Sequence, residues 1–186
     1  MKKSNTKGSR NERSVAHLLQ DWTGYEFART PKSGGLHWKK AHTSGDIVCI
    51  DEKHGYRFPF SIECKFHEEL LLLPVIQGLI GKKSNKILEF WNQSENDAKT
   101  VGKIPLVFMR KNGMKKDLHF VMMSFELFDL WTNMMGQWKP GNGILTIISK
   151  DYRIVIMNSD DLIETEYIFL YKAGKKLKRN VSRDKV

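Results

Sequence analysis

Cysteine is scarce. Cys49 and Cys64 are the two in 186 residues, which leaves no disulfide framework and no Cys/His spacing suited to zinc. Both lie inside apolar, strand-like runs and read as buried thiols, not nucleophiles. Long apolar runs are missing too. Leu70 to Leu73 is cut by Pro74, and the Val75 to Ile80 run that follows is short, whereas a membrane-spanning helix needs about 20 apolar residues. The amino terminus opens Met1-Lys2-Lys3 and continues with polar residues where a secretory signal needs an apolar core. The expected location is therefore the cytoplasm. Acidic residues are outnumbered: 21 Asp+Glu face 31 Lys+Arg, a net charge of +10 and a pI near 9.6. That balance favours a polyanionic partner, nucleic acid above all. No internal repeat is visible. A length of 186 residues with 40% hydrophobic content fits one domain with a full core over residues 1–171, followed by a flexible basic tail, 172–186.

Against that background, three charges stand inside runs that otherwise read as buried strand. Ser44-Gly45-Asp46 leads into the apolar run Ile47-Val48-Cys49-Ile50, and Phe58 to Ile62 leads into Glu63-Cys64-Lys65. The stretch between them carries hairpin-turn chemistry around Gly55. With the turn centred on His54 and Gly55, Asp46 and Glu63 are equidistant from it and so face each other across the hairpin. Strand alternation adds Lys65 to the same face and puts both cysteines on the other. Two carboxylates directly opposite each other repel, and burying an ionised carboxylate is costly without compensation. A hard divalent cation, Mg²⁺ or Mn²⁺, supplies it. A lysine beside such a cation can orient or help deprotonate an attacking water and can neutralise charge building on a phosphate. The set therefore points to phosphodiester hydrolysis. The competing reading is a simple Asp46/Lys65 or Glu63/Lys65 salt bridge on a solvated hairpin, and the apolar flanks argue against it.

Gly45-Asp46 followed by Ile62-Glu63-Cys64-Lys65 resembles the core of the PD-(D/E)XK nucleases, and Lys7-Gly8-Ser9-Arg10-Asn11-Glu12-Arg13 resembles the opening of archaeal-type and phage-type Holliday junction resolvases. The resemblance covers roughly the first two thirds of the chain, with core motifs within 7–123. It implies an α/β restriction-endonuclease-like fold, a mixed β-sheet flanked by helices. It also implies catalytic roles for Glu12, Asp46, Glu63 and Lys65. Metal, Mg²⁺ with Mn²⁺ as a substitute, would be held by Asp46, Glu63 and the backbone carbonyl of Cys64, with Glu12 completing the acidic pocket or binding a second ion. Ser44 before the aspartate is a resolvase-like feature. Gly45 departs from the family pattern, which has proline there. A branched DNA substrate, a homodimer and a nucleoid-associated or phage-infected host setting follow from the same resemblance.

Periodicity places the elements. Ser9 or Asn11 is the expected cap of a helix through about Trp22, with Glu12 in its first turn. Tyr25 to Thr30 reads as a strand. Ser84 or Asn85 caps a helix carrying Ile87, Leu88, Trp91 and Ala98 on one face, ending at Gly102. Ile104 to Met109 and Leu118 to Met123 form a second hairpin, for which Lys111-Asn112-Gly113 predicts a type I′ turn. Ser124 caps a helix from Phe125 to Met135, and Ile144 to Ile148 pairs with Arg153 to Met157.

Basic side chains mark the DNA contacts. The loop from Lys32 to His42, with Lys32, Ser33, Trp38, Lys39 and Lys40, leads straight into Ser44; its cations can grip phosphates, its glycines admit the backbone, and Trp38 can stack on a base. A solvated loop with one tucked aromatic is the alternative. Arg10, Arg13 and Arg29 are further DNA candidates, and the tail adds Lys172, Lys175, Lys176, Lys178, Arg179, Arg183 and Lys185. Gln93, on the helix after the Glu-Cys-Lys strand, stands where many nucleases of this superfamily carry a supporting glutamine. The expected function is a Mg²⁺-dependent, structure-selective DNA endonuclease, a Holliday junction resolvase acting as a homodimer. The same chemistry on a flap, mismatch or duplex, or a non-catalytic basic DNA-binding module, are the alternatives.

Overall fold

Val15, Leu19 and Trp22 recur at helical spacing and turn one face of helix α1 (Lys3–Thr23) onto a β-sheet. In this computed structural model, residues 3–30, 44–68, 70, 85–115, 117–136 and 138–183 are described. After α1 come β1 (Phe27–Arg29), β2 (Ile47–Cys49), a 3-10 turn at Gly55–Arg57 and β3 (Phe60–His67). Helix α2 (Lys86–Thr100) leads to β4 (Ile104–Lys111) and β5 (Phe120–Ser124). Then follow α3 (Phe125–Met135), β6 (Ile144–Ile148), β7 (Arg153–Asn158), α4 (Ser159–Ile163) and α5 (Tyr167–Arg183). The strands form one seven-stranded sheet in the order β1-β2-β3-β4-β5-β7-β6. The β3–β4 pair is parallel, running from Phe60↔Ile104 to His67↔Lys111, and the other pairs are antiparallel. This is the mixed, helix-flanked α/β sheet expected.

Alternation along the strands divides the core in two. Ile62, Leu106, Phe108, Val121 and Met123 face α1, α3 and α5. Val107, Met109, Met122 and Ile154 face α2, through Ile87, Leu88 and Trp91. β4 is therefore buried on both faces, which is why Ile104 to Met109 reads as an unbroken apolar run. Caps fix two helix starts. Asn85 Oδ1 accepts from the Ile87 and Leu88 amides (2.9 and 3.4 Å), and Ser124 Oγ accepts from the Leu127 amide at 3.2 Å. Each such cap contributes about 1 kcal/mol. Among the described residues no helix is long and apolar enough to cross a membrane.

Three segments differ from the sequence reading. Helix α1 begins at Lys3, so Ser9 and Asn11 lie inside it instead of capping it. Their side chains meet tertiary partners: Ser9 Oγ accepts from Arg29 Nη2 at 3.1 Å, and Asn11 Oδ1 lies 3.2 Å from His119 Nε2. The Lys111-Asn112-Gly113 turn is not type I′. That turn needs positive φ at both central residues, and among the described non-glycine residues Asp117 alone has it (67°), while Gly113 is at 80°. The β4–β5 ladder instead ends at Met109↔Phe120, leaving a longer connection. The segment after Tyr171, expected as a flexible tail, continues α5 to Arg183. Leu170, Ala173 and Gly174 are buried along it, and a Cβ on Gly174 would come within 2.7 Å of the Phe60 ring. The boundary expected at residue 171 thus falls inside a docked helix.

Candidate active site

The hairpin register follows the sequence reading: Ile47 pairs with Ile62, which sets Asp46 opposite Glu63. The close approach of the segment before β2 to β3 depends on Gly45. That residue has φ +94°, and a Cβ there would lie 2.3 Å from the Ile62 carbonyl oxygen. Proline, fixed near −65°, cannot take this conformation, so the departure from the family pattern has a backbone cause. Asp46 is held on three sides. Its amide donates to the Ile62 carbonyl at 2.7 Å and its carbonyl accepts from the Thr30 amide at 2.8 Å. Its Oδ2 accepts from the Cys64 amide at 2.9 Å.

Glu63 is 5% exposed. Burial, and next the adjoining Asp46 carboxylate, push its carboxyl up to about 7, with Lys65 pulling the other way. The Lys65 ammonium sits 3.0 Å from Glu63 Oε2 and donates to Gln93 Oε1 at 3.0 Å. The Phe90 ring centroid is 5.8 Å from the same nitrogen. One cation thus compensates two close carboxylates, and the excess negative charge is the electrostatic condition for a hard divalent ion. Among the described residues no three His, Cys, Asp or Glu side chains group to hold a metal. Two carboxylates with waters and a substrate phosphate still match the way Mg²⁺ is commonly bound.

Glu12 comes from α1, is 6% exposed and forms an ion pair with Arg29. It does not join Asp46 and Glu63 as a third member of one compact cluster. It does approach β3 from the other face: burial first, then the charges of Asp46, Glu12 and Glu63, push the Cys64 thiol well above its ordinary range. Burial also raises the Cys49 thiol. Both thiols therefore stay protonated near neutral pH, Cys49 buried and Cys64 half-buried. Arg29, expected at DNA, is directed to Glu12 and Ser9. Ser44 is directed to Ser61, hydroxyl to hydroxyl. Arg10 and Arg13 are exposed on α1. Lys32, Ser33, Trp38, Lys39 and Lys40 lie outside the described residues.

Sequence reasoning passed over Thr30 and Ser61. Thr30 Oγ1 donates to the Gly45 carbonyl at 2.8 Å, and Ser61 is fully buried beneath Ser44. A signal for Ser61 was present: Ser61, Glu63 and Lys65 alternate along one strand face, as Ser44 and Asp46 do on its neighbour. These small hydroxyls support the loop that aims Asp46. A family model described as "Phage putative PDDEXK endonuclease" matches residues 3–169. No curated protein and no solved structure matches the chain.

Proposed function

The chain belongs to the family described as "Phage putative PDDEXK endonuclease", and we propose that it is a Mg²⁺-dependent, structure-selective DNA endonuclease, specifically a Holliday junction resolvase acting as a homodimer. The observation that carries the catalytic part is the convergence of Asp46, Glu63 and Lys65 on one face of the β2–β3 hairpin, with Glu63 buried and the other two half-buried. Asp46, Glu63 and the Cys64 carbonyl would hold the metal, which when bound supplies Lewis-acid polarisation of the phosphate and a more acidic water. The chain's own residues do the rest. The Cys64 amide fixes the orientation of the Asp46 carboxylate. Glu63 and Gln93 hold the Lys65 ammonium where it can align the attacking water and offset charge building on the phosphate oxygens. Phe90 covers one side of that ammonium and limits its hydration. Arg29 fixes Glu12 as a separate acidic wall behind β3.

The resolvase assignment is supported by the Gly8-Ser9-Arg10-Asn11-Glu12 opening and by Ser44 beside Asp46. The test is cleavage in Mg²⁺ across four-way junction, flap, mismatch, linear duplex and single-stranded DNA. The junction is expected to be cut preferentially and nothing to be cut in EDTA. Equal cutting of linear duplex would retain the nuclease and remove the resolvase; no cutting of any DNA would leave a binding module.

A further inference from the structure

A groove of about 1090 Å³ runs beside α1, lined by Phe66 on the β3 face opposite Glu63 and Lys65. One wall is α1 with Lys7, Arg10 and Arg13. The other is the end of β4, with Arg110 and Lys111, and the connection to β5, with Lys115. Where these cations have hydrogen-bond partners, the partners are neutral: Lys7 donates to Asn112 Oδ1 at 3.3 Å, Arg13 to the Ser9 carbonyl at 3.1 Å and Arg110 to the Met114 carbonyl at 3.0 Å. Among the described residues none of the six forms an ion pair with a carboxylate. Asp21, Asp117 and Asp160 also line the groove, and Asp117 accepts from Ser14 Oγ at 2.7 Å. Six cations against three acids leave the wall net positive.

Shape then selects among anions. From Lys7 to His17 the α1 wall spans ten residues, about 15 Å at the helical rise. That length exceeds one phosphate group, so the wall suits a run of successive backbone phosphates. A single small anion would leave most of these cations unpaired. Phe66 and Lys65 are consecutive residues of β3, so the groove and the catalytic face lie on opposite sides of the sheet near the same end of that strand. We infer that this groove is a track for the phosphate backbone of the DNA flanking the cut, with Arg110, Lys111 and Lys115 acting as phosphate contacts across from Lys7, Arg10 and Arg13. The inference rests on the nuclease reading of Asp46, Glu63 and Lys65. It adds a second contact surface, supplied by the end of β4 and the connection after it, which the hydrolytic motif does not include.

The test is DNA binding by the full chain in EDTA, measured as log affinity against log salt on linear duplex. Three proteins are compared: wild type, Arg110→Gln/Lys111→Gln/Lys115→Gln, and a charge-matched control, Lys53→Gln/Lys139→Gln/Lys150→Gln, whose lysines are exposed away from the groove. Each lost phosphate contact lowers the slope by about 0.9, so the groove triple should fall by about 2.7 and the control by less than one contact's worth. Because Arg110 is half-buried, Lys111→Gln/Lys115→Gln alone is the second variant, with an expected fall of about 1.8. A groove variant with the wild-type slope, or a control that falls equally, overturns the track. If wild type cuts DNA in Mg²⁺ while the groove variants keep its slope, the track fails and the nuclease reading stands. If wild type neither binds DNA nor cuts it, both fail.

Discussion

Glu63 and His119 titrate in opposite directions, and their effects on stability oppose each other. Glu63, raised from 4.5 to about 7 by burial and then by Asp46, keeps a proton that the unfolded chain has released. Its contribution is full below 4.5 and is lost as pH rises through 7. His119, lowered from 6.5 to about 4 by burial and then by Arg110, stays neutral where the unfolded chain is protonated. Its contribution is full above 6.5 and is lost as pH falls through 4. At 1.36 kcal/mol per pH unit between ordinary and shifted values, each is worth about 3 kcal/mol. In metal-free protein the two slopes should cancel between about pH 4.5 and 6.5. Denaturant titrations should then show stability rising with pH in Glu63→Gln and falling with pH in His119→Gln; parallel curves for both variants and wild type would refute the two shifts. At the reaction itself, Asp46→Asn or Glu63→Gln should abolish cleavage while DNA affinity holds or improves slightly, since each removes a proposed ligand and a negative charge near phosphate. Full activity of either in Mg²⁺ would remove them from the site. Lys65→Ala should lose cleavage and retain Mg²⁺ binding by calorimetry. Gly45→Ala should destabilise by at least about 1–3 kcal/mol in chemical denaturation, because an alanine held at positive φ is strained and its Cβ meets the Ile62 carbonyl.

Helix α5 changes how its basic residues can be tested. Lys172, Lys176 and Arg179 are exposed on one side, while Leu170, Ala173 and Gly174 are buried on the other. Deleting the chain after Tyr171 would strip packed surface from Phe60 and its neighbours, so loss of DNA binding would be confounded by loss of fold. Lys172→Gln/Lys176→Gln/Arg179→Gln leaves the buried stripe intact. If that face touches DNA, the salt slope should fall by about 0.9 per contact equally on junction and duplex, with the melting temperature unchanged. An unchanged slope would make it a solvated face. This helix also shows where sequence reading ran out. The spacing of Leu170, Ala173, Gly174 and Leu177 was present but submerged among lysines, and composition outweighed periodicity. The β2–β3 hairpin was legible because a charged stripe inside β-branched runs has few structural solutions, and register follows once the turn is centred. Asn85 and Ser124 were legible as caps because their side chains bond locally. Ser9 and Asn11 have the same chemistry, yet their partners Arg29 and His119 are distant in sequence, so no local pattern separates them from caps. The β4–β5 connection was misread for a related reason: Asn-Gly favours a type I′ turn, but the ladder ends before reaching it.

At the scale of the molecule, the positive charge is spread over several surfaces. Arg10 and Arg13 project from α1, Lys111 from the end of β4 and Lys115 from the connection after it, and the α5 lysines from a further element. On the proposed reading, dispersed cations of this kind would give sequence-independent affinity and fast encounter, and selectivity would come from the geometry of the DNA. A junction with two-fold symmetry is matched by two copies of one active site related by a two-fold axis, which is the physical reason to expect a homodimer. On the proposed reading each Asp46–Glu63–Lys65 set would supply one hydrolytic centre, so a monomer bound once would nick one strand per encounter. A symmetric dimer would nick two opposing strands within a single residence on the junction. On a synthetic four-way junction in Mg²⁺, the expected products are paired nicks at symmetry-related positions, giving nicked linear duplexes that a ligase can seal. Sedimentation should show a dimer on the junction, and mixing wild type with excess Glu63→Gln should accumulate singly nicked junctions from heterodimers. A monomer both free and bound, with equal cleavage of linear duplex, would instead assign the protein to single-strand incision of other DNA.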